Sequence, residues 1–579
     1  MKHHFLRFTL VPLTLAWLAG CASMAPETAT STVAQAASPA ATEPDDLPRL
    51  ALEPDVLYDL LIGEVAIQRG QIAMAAEVLG RVAQKTRDPR LAERATLAAF
   101  HARQLDEALV SAKLWTELRP KDVEAHEALA TVQLELGHTA EARAQLEEII
   151  VLETRRGQPE QGYLRAATVL GRYSNRAAST ELMQALVQLH PELAAAHLYA
   201  AHIAVRAGEL DSAARSAEAA LELQPEGEEA AIFRVRIFIS QKDIPGAIAF
   251  YDSFLSRYPK SAAVRTNYAR FLIDQKQWDK AFVQFKRVLA NAPDDADAVY
   301  AAGLLALQTN LGDEAEAYLK RALELRPEND QARLYLGQVA EQAKRYDDAV
   351  RWYKEIDDGE NYFEAQIRLA AVVAKRGDID GARNYLAAIQ TENDQQRVQR
   401  ALAEEQILRD AKRHKEALEM LNQTLVAVPN DKDLLYARAL VAEKLNMLEV
   451  AEADLRSILK KDPKNANALN ALGFTLADRT TRYQEALGFL QDAVSLKPDD
   501  PYVLDSFGWV QYRLGNHTEA LKHLKRALEI RNDAEIAAHL GEVLWVMGQR
   551  NEAESVWKRA LREAPDSEAL LGVMKKFNP

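Results

Sequence analysis

Residues 295–327 read DADAVYAAGLLALQTNLGDEAEAYLKRALELRP, and this stretch decides the fold. The segments DADAVYAAGLLALQ and EAEAYLKRALEL each place apolar residues three and four positions apart, which is the spacing of an amphipathic helix. We expect the two helices to cross at Gly303 and Ala315, where a leucine would cost about 1 to 3 kcal/mol by overpacking. Pro327 then ends the second helix, because proline has no amide hydrogen and disfavours helix in the residue before it.

The same pattern recurs along the chain with a fixed period of about 34 residues. Prolines stand at even intervals of one period, at Pro191, Pro225, Pro259, Pro293 and Pro327. An alanine lies twelve positions before each of the last four, at Ala213, Ala247, Ala281 and Ala315. This period and spacing are the signature of the tetratricopeptide repeat, and the chain resembles that family.

The resemblance extends over residues 54–565. Later units are centred on Ala349, Ala382, Ala417, Ala451, Ala486, Ala520 and Ala553, and the small positions of the last three first helices are Gly473, Gly508 and Gly541. We expect one degenerate repeat within residues 151–181, with a longer loop at 155–161. The resemblance implies an all-α fold, a right-handed tetratricopeptide-repeat superhelix of about 15 helical hairpins, in which residues 566–579 cap the last hairpin.

The N-terminal residues predict export and lipid attachment. Basic Lys2 and Arg7 precede an apolar run, and Leu18-Ala19-Gly20-Cys21 resembles a bacterial lipobox that holds the chain's one cysteine. An ordinary signal peptide with a chance cysteine is the alternative. We therefore expect a signal peptide at 1–20, a lipidated Cys21 with a flexible tether to residue 48, and the repeat superhelix at 49–579. Ala22 follows the cysteine, so the lipoprotein resemblance implies the outer membrane, facing the periplasm.

Composition excludes several functional classes. The formal net charge is −14 at pH 7 and no basic block occurs, so nucleic acid is not an expected partner. The chain has no HExxH, GxSxG or P-loop motif and no cysteine beyond the lipobox, which predicts a protein that is not an enzyme. We expect no cofactor and no metal site.

The repeat resemblance implies that first-helix residues line a concave groove. In the last three units these positions carry aromatic and polar residues, namely Asn470, Phe474, Tyr502, Asp505, Trp509, Tyr512, His539 and Trp545. Aromatic anchors with polar groups beside them favour a peptide-binding strip. The alternative is that these aromatics pack between repeats.

Two further candidates remain open. The corresponding mid-array positions are Arg236, Asn267, Arg270, Tyr300, Tyr335 and Gln338, and paired arginines can hold an acidic segment or a terminal carboxylate. The alternative is that these arginines are solvated charges on helix surfaces and bind nothing. The apolar opening of the array, residues 50–62, either docks a partner or caps the first repeat.

Length, lipobox, acidic charge and a near-complete helical array resemble the lipoprotein adaptors that, in pseudomonads, bind a carboxyl-terminal processing protease and present cell-wall hydrolases to it. The resemblance implies a periplasmic scaffold whose partners are a protease and peptidoglycan hydrolases, and which raises proteolysis by proximity. The alternative is an assembly factor for an envelope machine, either a pilus secretin pilot or an exopolysaccharide export scaffold.

Overall fold

The computed structural model describes residues 53–577, which divide into two compact units at Ala298 and Val299. We call them the N-terminal unit and the C-terminal unit. The predicted signal peptide, Cys21 and tether lie outside the described residues, so these assignments stay predictions.

The described residues form 31 α-helices. The first fourteen are α1 (Pro54–Gln68), α2 (Ile72–Thr86), α3 (Pro89–His101), α4 (Leu105–Leu118), α5 (Val123–Glu135), α6 (Thr139–Arg155), α7 (Pro159–Arg172), α8 (Arg176–Val187), α9 (Ala194–Ala207), α10 (Leu210–Leu223), α11 (Glu228–Ser240), α12 (Ile244–Arg257), α13 (Ala262–Asp274) and α14 (Trp278–Leu289). The next nine are α15 (Ala296–Gln308), α16 (Gly312–Leu325), α17 (Asp330–Gln342), α18 (Tyr346–Lys354), α19 (Tyr362–Lys375), α20 (Ile379–Ala388), α21 (Asp394–Asp410), α22 (His414–Ala427) and α23 (Lys432–Lys444). The last eight are α24 (Leu448–Lys461), α25 (Ala466–Arg479), α26 (Tyr483–Leu496), α27 (Pro501–Arg513), α28 (His517–Ile530), α29 (Ala534–Val546), α30 (Arg550–Glu563) and α31 (Glu568–Phe577). None of the helices in this part of the chain combines the length and apolar character needed to cross a bilayer.

The helices pair into hairpins as the period predicts. The pairs from α1–α2 to α29–α30 make 15 hairpins, and α31 follows as the C-terminal cap. Within each unit a helix packs against the next helix, and first helices also pack against each other, as α7 does on α9 and α25 on α27. The predicted all-α repeat solenoid is confirmed.

The small positions permit the close helix crossing. Every repeat-centre alanine from Ala213 to Ala553 has an exposed fraction of 0%. A Cβ atom added at Gly303 would lie 3.0 Å from the side chain of Leu319, and one added at Gly508 would lie 2.7 Å from that of Leu524. The residue that lies against the glycine is therefore the leucine four positions after the repeat-centre alanine, and a larger residue in place of the glycine would displace it.

The predicted loop at 155–161 is wrong. Helix α6 runs through Arg155 and, at 17 residues, is longer than the 14-residue α4, so helix takes up the additional length of this repeat. Helix α7 begins at Pro159, where proline suits the first helical turn because its missing amide hydrogen has no helical partner there. Only a short turn of residues 156–158 remains.

The turn between the two helices of a hairpin adopts one recurring conformation. In every hairpin except α7–α8 and α25–α26, its central residue has a positive φ in the left-handed region. Glycine occupies this position in some repeats, but the others carry Arg103, Lys242, Lys276, Asn310, Lys344, Lys412 and Asn446. The left-handed conformation crowds a side chain, so the lysines and the arginine adopt it at a conformational cost.

Lys276→Gly should stabilise the chain. Lys276 has φ 57°, which glycine adopts freely, and its side chain is exposed, so we expect a gain of about 0.5 to 1 kcal/mol. Urea unfolding followed by circular dichroism measures the change. Lys280→Gly, on the exposed side of α14, is the control and should cost about 1 kcal/mol, because glycine is a poor helix former. A loss of stability for both variants would contradict the argument.

Candidate functional site

Five of the predicted groove residues lie together in the C-terminal unit. The His539 ring stacks on Trp509 with the centroids 4.2 Å apart, and its Nδ1 lies 2.9 Å from Asp505 Oδ1. Phe474 lies 6.1 Å from the His539 ring and Tyr512 lies 5.1 Å from Trp509. We call these five residues the C-terminal cluster. Because they come from α25, α27 and α29, the cluster joins three successive first helices.

Carboxylates surround the imidazole of His539. Burial lowers the pKa of His539, but Asp505, Glu535 and Asp478 outweigh it and raise this pKa to about 9. Burial raises the pKa of Asp505 above the usual carboxyl range. We conclude that His539 is protonated at neutral pH and forms a largely buried ion pair with Asp505.

The polar groups of Trp509 and Tyr512 are used in hydrogen bonds to neighbouring carboxylates of the C-terminal unit. The Trp509 indole N–H donates to Asp478 Oδ1 at 3.2 Å, and its side chain is only 6% exposed. The Tyr512 hydroxyl donates to Glu542 Oε1 at 3.1 Å, which also accepts from Lys576. We therefore expect Trp509→Ala to reduce stability, as the packing alternative requires. His539 and Tyr512 are half-buried and are the accessible part of the cluster.

The other three predicted groove residues of this region lie apart from these contacts. Asn470 is buried, and its Oδ1 accepts no hydrogen bond within residues 53–577. Tyr502 is half-buried beneath the guanidinium of Arg531, at 5.4 Å. Trp545 packs on Trp557 and Phe577 instead, with ring centroids 5.7 Å and 6.1 Å away, so it belongs to the C-terminal cap.

The mid-array candidates divide between the two units. In the N-terminal unit Arg236 is exposed, Arg270 is half-buried, and Asn267 Oδ1 accepts a 2.5 Å hydrogen bond from the Tyr251 hydroxyl. In the C-terminal unit, Gln338 is buried and Tyr300 and Tyr335 are half-buried. Burial raises the pKa of both tyrosines. The six residues therefore do not form one site within either unit.

His202 is not among the predicted site residues, although it lies one repeat period before Arg236. Its ring stacks on Phe233 with the centroids 3.9 Å apart. Burial and, secondarily, the charge of Arg236 lower the pKa of His202 to about 4, so it is neutral at pH 7. The repeat register could have indicated His202, since His202, Arg236 and Arg270 occupy the same position in three successive repeats.

Helix α1 exposes a continuous apolar face. Leu57, Tyr58, Leu61 and Val65 lie within one arc of the helix, and their exposed fractions range from 43% to 66%. We call these residues the α1 apolar face. Lys85 of α2 forms an ion pair with Asp55 at the start of α1. Contiguous exposed apolar side chains favour the docking hypothesis for this segment over a plain N-terminal cap.

The carboxylates near His539 do not form a metal site. Within residues 53–577, no group of three or more His, Cys, Asp or Glu residues is placed to hold a metal ion. What the C-terminal cluster offers chemically is therefore a half-buried cation and a phenol beside aromatic rings, which suit binding.

The C-terminal unit should lose stability in mild alkali. The pKa of folded His539, about 9, lies above its ordinary value of 6.5, so its stabilisation is complete below pH 6.5 and is lost as the pH rises through 9. Urea unfolding of the wild-type chain at pH 7 and pH 10, followed by circular dichroism, should show this loss. His539→Phe keeps the stacking on Trp509 but cannot titrate, so equal losses in both proteins would contradict the assignment.

Comparison with known proteins identifies the repeat. Three family models described as tetratricopeptide repeat match residues 198–262, 300–362 and 402–466, residues 238–307 and 511–576, and residues 466–533. Together these matches span more than half of the chain.

One curated relative and two solved structures illustrate the similarity. The TPR repeat-containing protein PA4667 of Pseudomonas aeruginosa is 41% identical over 194 residues, which are 34% of this chain and only 33% of that protein. One chain of the APC/C hetero-tetramer Cut9–Hcn1 structure aligns with 86% of this chain and over 98% of its own length, at 16% identity and a TM-score of 0.31. The structure of PilF from Pseudomonas aeruginosa aligns with 34% of this chain and over 89% of its own length, at 20% identity and a TM-score of 0.26. TM-scores of this size carry no information on function.

Proposed function

Because the chain belongs to the tetratricopeptide-repeat family, whose members bind protein partners, we propose that it is a lipid-anchored periplasmic scaffold. It brings a carboxyl-terminal processing protease together with peptidoglycan hydrolases, as the lipoprotein adaptors that it resembles do. The α1 apolar face is the observation that carries this proposal, because it is a solvent-exposed apolar helix surface. The C-terminal cluster provides a chemically different surface in the other unit.

An adaptor needs two surfaces that each bind a different partner. The α1 apolar face offers aliphatic and aromatic area, which favours the apolar side of a partner helix. The C-terminal cluster offers the His539 cation and the Tyr512 hydroxyl, which favour polar contacts with an extended segment. Surfaces that differ in chemistry can hold two different partners at once, and simultaneous binding converts their encounter into an intramolecular one.

In this proposed function the chain binds its partners and catalyses no reaction itself. The hairpins account for residues 54–563, and the recurring alanines and leucines within them serve packing. Rate enhancement then comes from the increased local concentration of one partner near another, with all bond breaking carried out by the bound protease.

Cys21 is proposed as the anchor. A diacylated cysteine at this position would hold the chain on the outer membrane, with further acylation making the attachment durable. Cys21→Ser should move the protein from the membrane fraction into the soluble periplasmic fraction. Unchanged fractionation of this variant would refute lipid attachment.

Partner capture tests the scaffold itself. We expect the purified body, residues 49–579, to retain a carboxyl-terminal processing protease or cell-wall hydrolases from a periplasmic extract of the source bacterium. Leu61→Glu with Val65→Glu charges the α1 apolar face and should abolish retention of one of these partners without affecting the other. Val426→Glu is the matched control, because Val426 is 85% exposed elsewhere in the array. Recovery of secretin or polysaccharide-export proteins alone would reject the adaptor and favour an envelope assembly factor.

A further inference from the structure

One ion pair joins distant parts of the C-terminal unit. Lys412 Nζ lies 2.7 Å from Glu568 Oε1, although the two residues are 156 positions apart. Lys412 is the central residue of the α21–α22 turn, and Glu568 begins α31. The extensive helix contacts described above reach no further than the next helix but one. This ion pair therefore connects elements that do not pack directly against each other.

The charges on the two sides of the Lys412–Glu568 contact are complementary. The hydrogen bond from Lys412, its charge, and the more distant charge of Lys444 lower the pKa of Glu568. Glu568 in turn raises the pKa of Lys412. The side of α21 to α23 thus presents two lysines to an acidic start of α31, so the approach of α31 is electrostatically favoured.

The contact is also weak. The side chains of Lys412 and Glu568 are 77% and 85% exposed, and exposed pairs change an equilibrium by a small factor and are screened by salt. A contact this weak is made and broken readily.

We propose that the Lys412–Glu568 ion pair is a reversible clasp, which holds α31 against the α21–α22 turn and restrains the C-terminal unit in a closed form. This inference rests on the proposed function for its consequence. With the clasp closed, a partner segment bound along the first helices leaves more slowly, and with the clasp open, a segment enters.

The turn geometry offers an unusually clean variant. Lys412 has φ 58°, so Lys412→Gly removes the charge while glycine fits the backbone better than lysine does. Lys344 has the same φ of 58° in the α17–α18 turn, and its side chain forms no ion pair within residues 53–577. Lys344→Gly is therefore a matched control, with the same backbone change and no clasp to lose.

Pulsed electron paramagnetic resonance measures the clasp without any partner. Spin labels go on cysteines introduced at Lys415 and Ala569, both exposed, in the chain from residue 22 onward, which has no cysteine of its own. We expect a distance distribution in which short distances predominate at low ionic strength. It should broaden toward longer distances at about 1 M NaCl and in Lys412→Gly, and stay unchanged in Lys344→Gly.

A charge exchange gives the decisive comparison. Lys412→Glu should lengthen the label distance further than Lys412→Gly does, and adding Glu568→Lys should partly restore it, incompletely because Lys444 then faces a lysine. Distances that are the same in the wild-type chain and Lys412→Gly at both salt concentrations would overturn the proposal. Because no partner is present, that failure leaves the scaffold function standing, and failed partner capture leaves the distances interpretable.

Discussion

Asp505→Ala is expected to lower the free energy of unfolding of the C-terminal unit by about 3 to 5 kcal/mol, since it leaves a largely buried cation without its main counter-charge. The Asp505 side chain is 7% exposed and that of His539 is 14% exposed, so water replaces the lost carboxylate only in small part. Urea unfolding followed by circular dichroism measures the loss. Hydrogen exchange should show it concentrated in α27 and α29, because repeats interact mainly with their neighbours.

A double variant separates charge from packing. Asp505→Leu combined with His539→Phe removes both charges and keeps a ring on Trp509, and apolar replacement of a buried ion pair is often neutral. We expect the double variant to lose less than half of what Asp505→Ala loses. Equal losses would show that side-chain packing around Trp509, rather than the ion pair, stabilises these repeats.

Trp557→Ala should reduce stability by a similar amount, about 3 to 5 kcal/mol, through loss of a fully buried aromatic side chain. Trp557 is 0% exposed, stacks on both Trp545 and Phe577, and donates its indole N–H to the Ala538 carbonyl at 3.3 Å. The ring lies directly against Gly541, where an added Cβ would be only 1.9 Å from Nε1. Removing the ring empties the space where α29, α30 and α31 meet.

Hydrogen exchange locates this second effect. Amides of α29 to α31 should lose protection in Trp557→Ala, while those of the N-terminal unit keep theirs. Trp352→Ala is the control, because Trp352 is half-buried and its truncation should cost less. If Trp352→Ala proves as damaging as Trp557→Ala, the cap is not the stability element inferred from its stacked rings.

The repeat period predicted the fold because each hairpin faces the same packing problem. Ala213 and its counterparts must be small for the helices to cross, so the sequence repeats wherever the structure does. The longer loop predicted at 155–161 is wrong because the period alone does not show which element is longer. A departure from the period shows that length was added, but helix α6 absorbs it, and periodicity alone cannot distinguish a longer helix from a longer loop.

The candidate site was predictable only in part. Matching positions on successive first helices put Asp505, Trp509 and His539 in one predicted strip, and the structure places these three side chains in contact. The register could not show that Trp545 turns toward the cap, since that depends on Trp557 and Phe577 packing behind it. Likewise, the clasp residues lie 156 positions apart, so no local pattern relates them.

The proposed scaffold is tested most directly by the cleavage rate of a peptidoglycan hydrolase by a carboxyl-terminal processing protease, measured over a range of concentrations of the purified body. An adaptor that holds both proteins should accelerate cleavage strongly at low concentration and slow it again in excess, when protease and hydrolase occupy separate scaffold molecules. We predict this bell-shaped dependence, and Leu61→Glu with Val65→Glu should abolish it. An unchanged cleavage rate at every concentration, or a rate that rises to a plateau without falling, would contradict it.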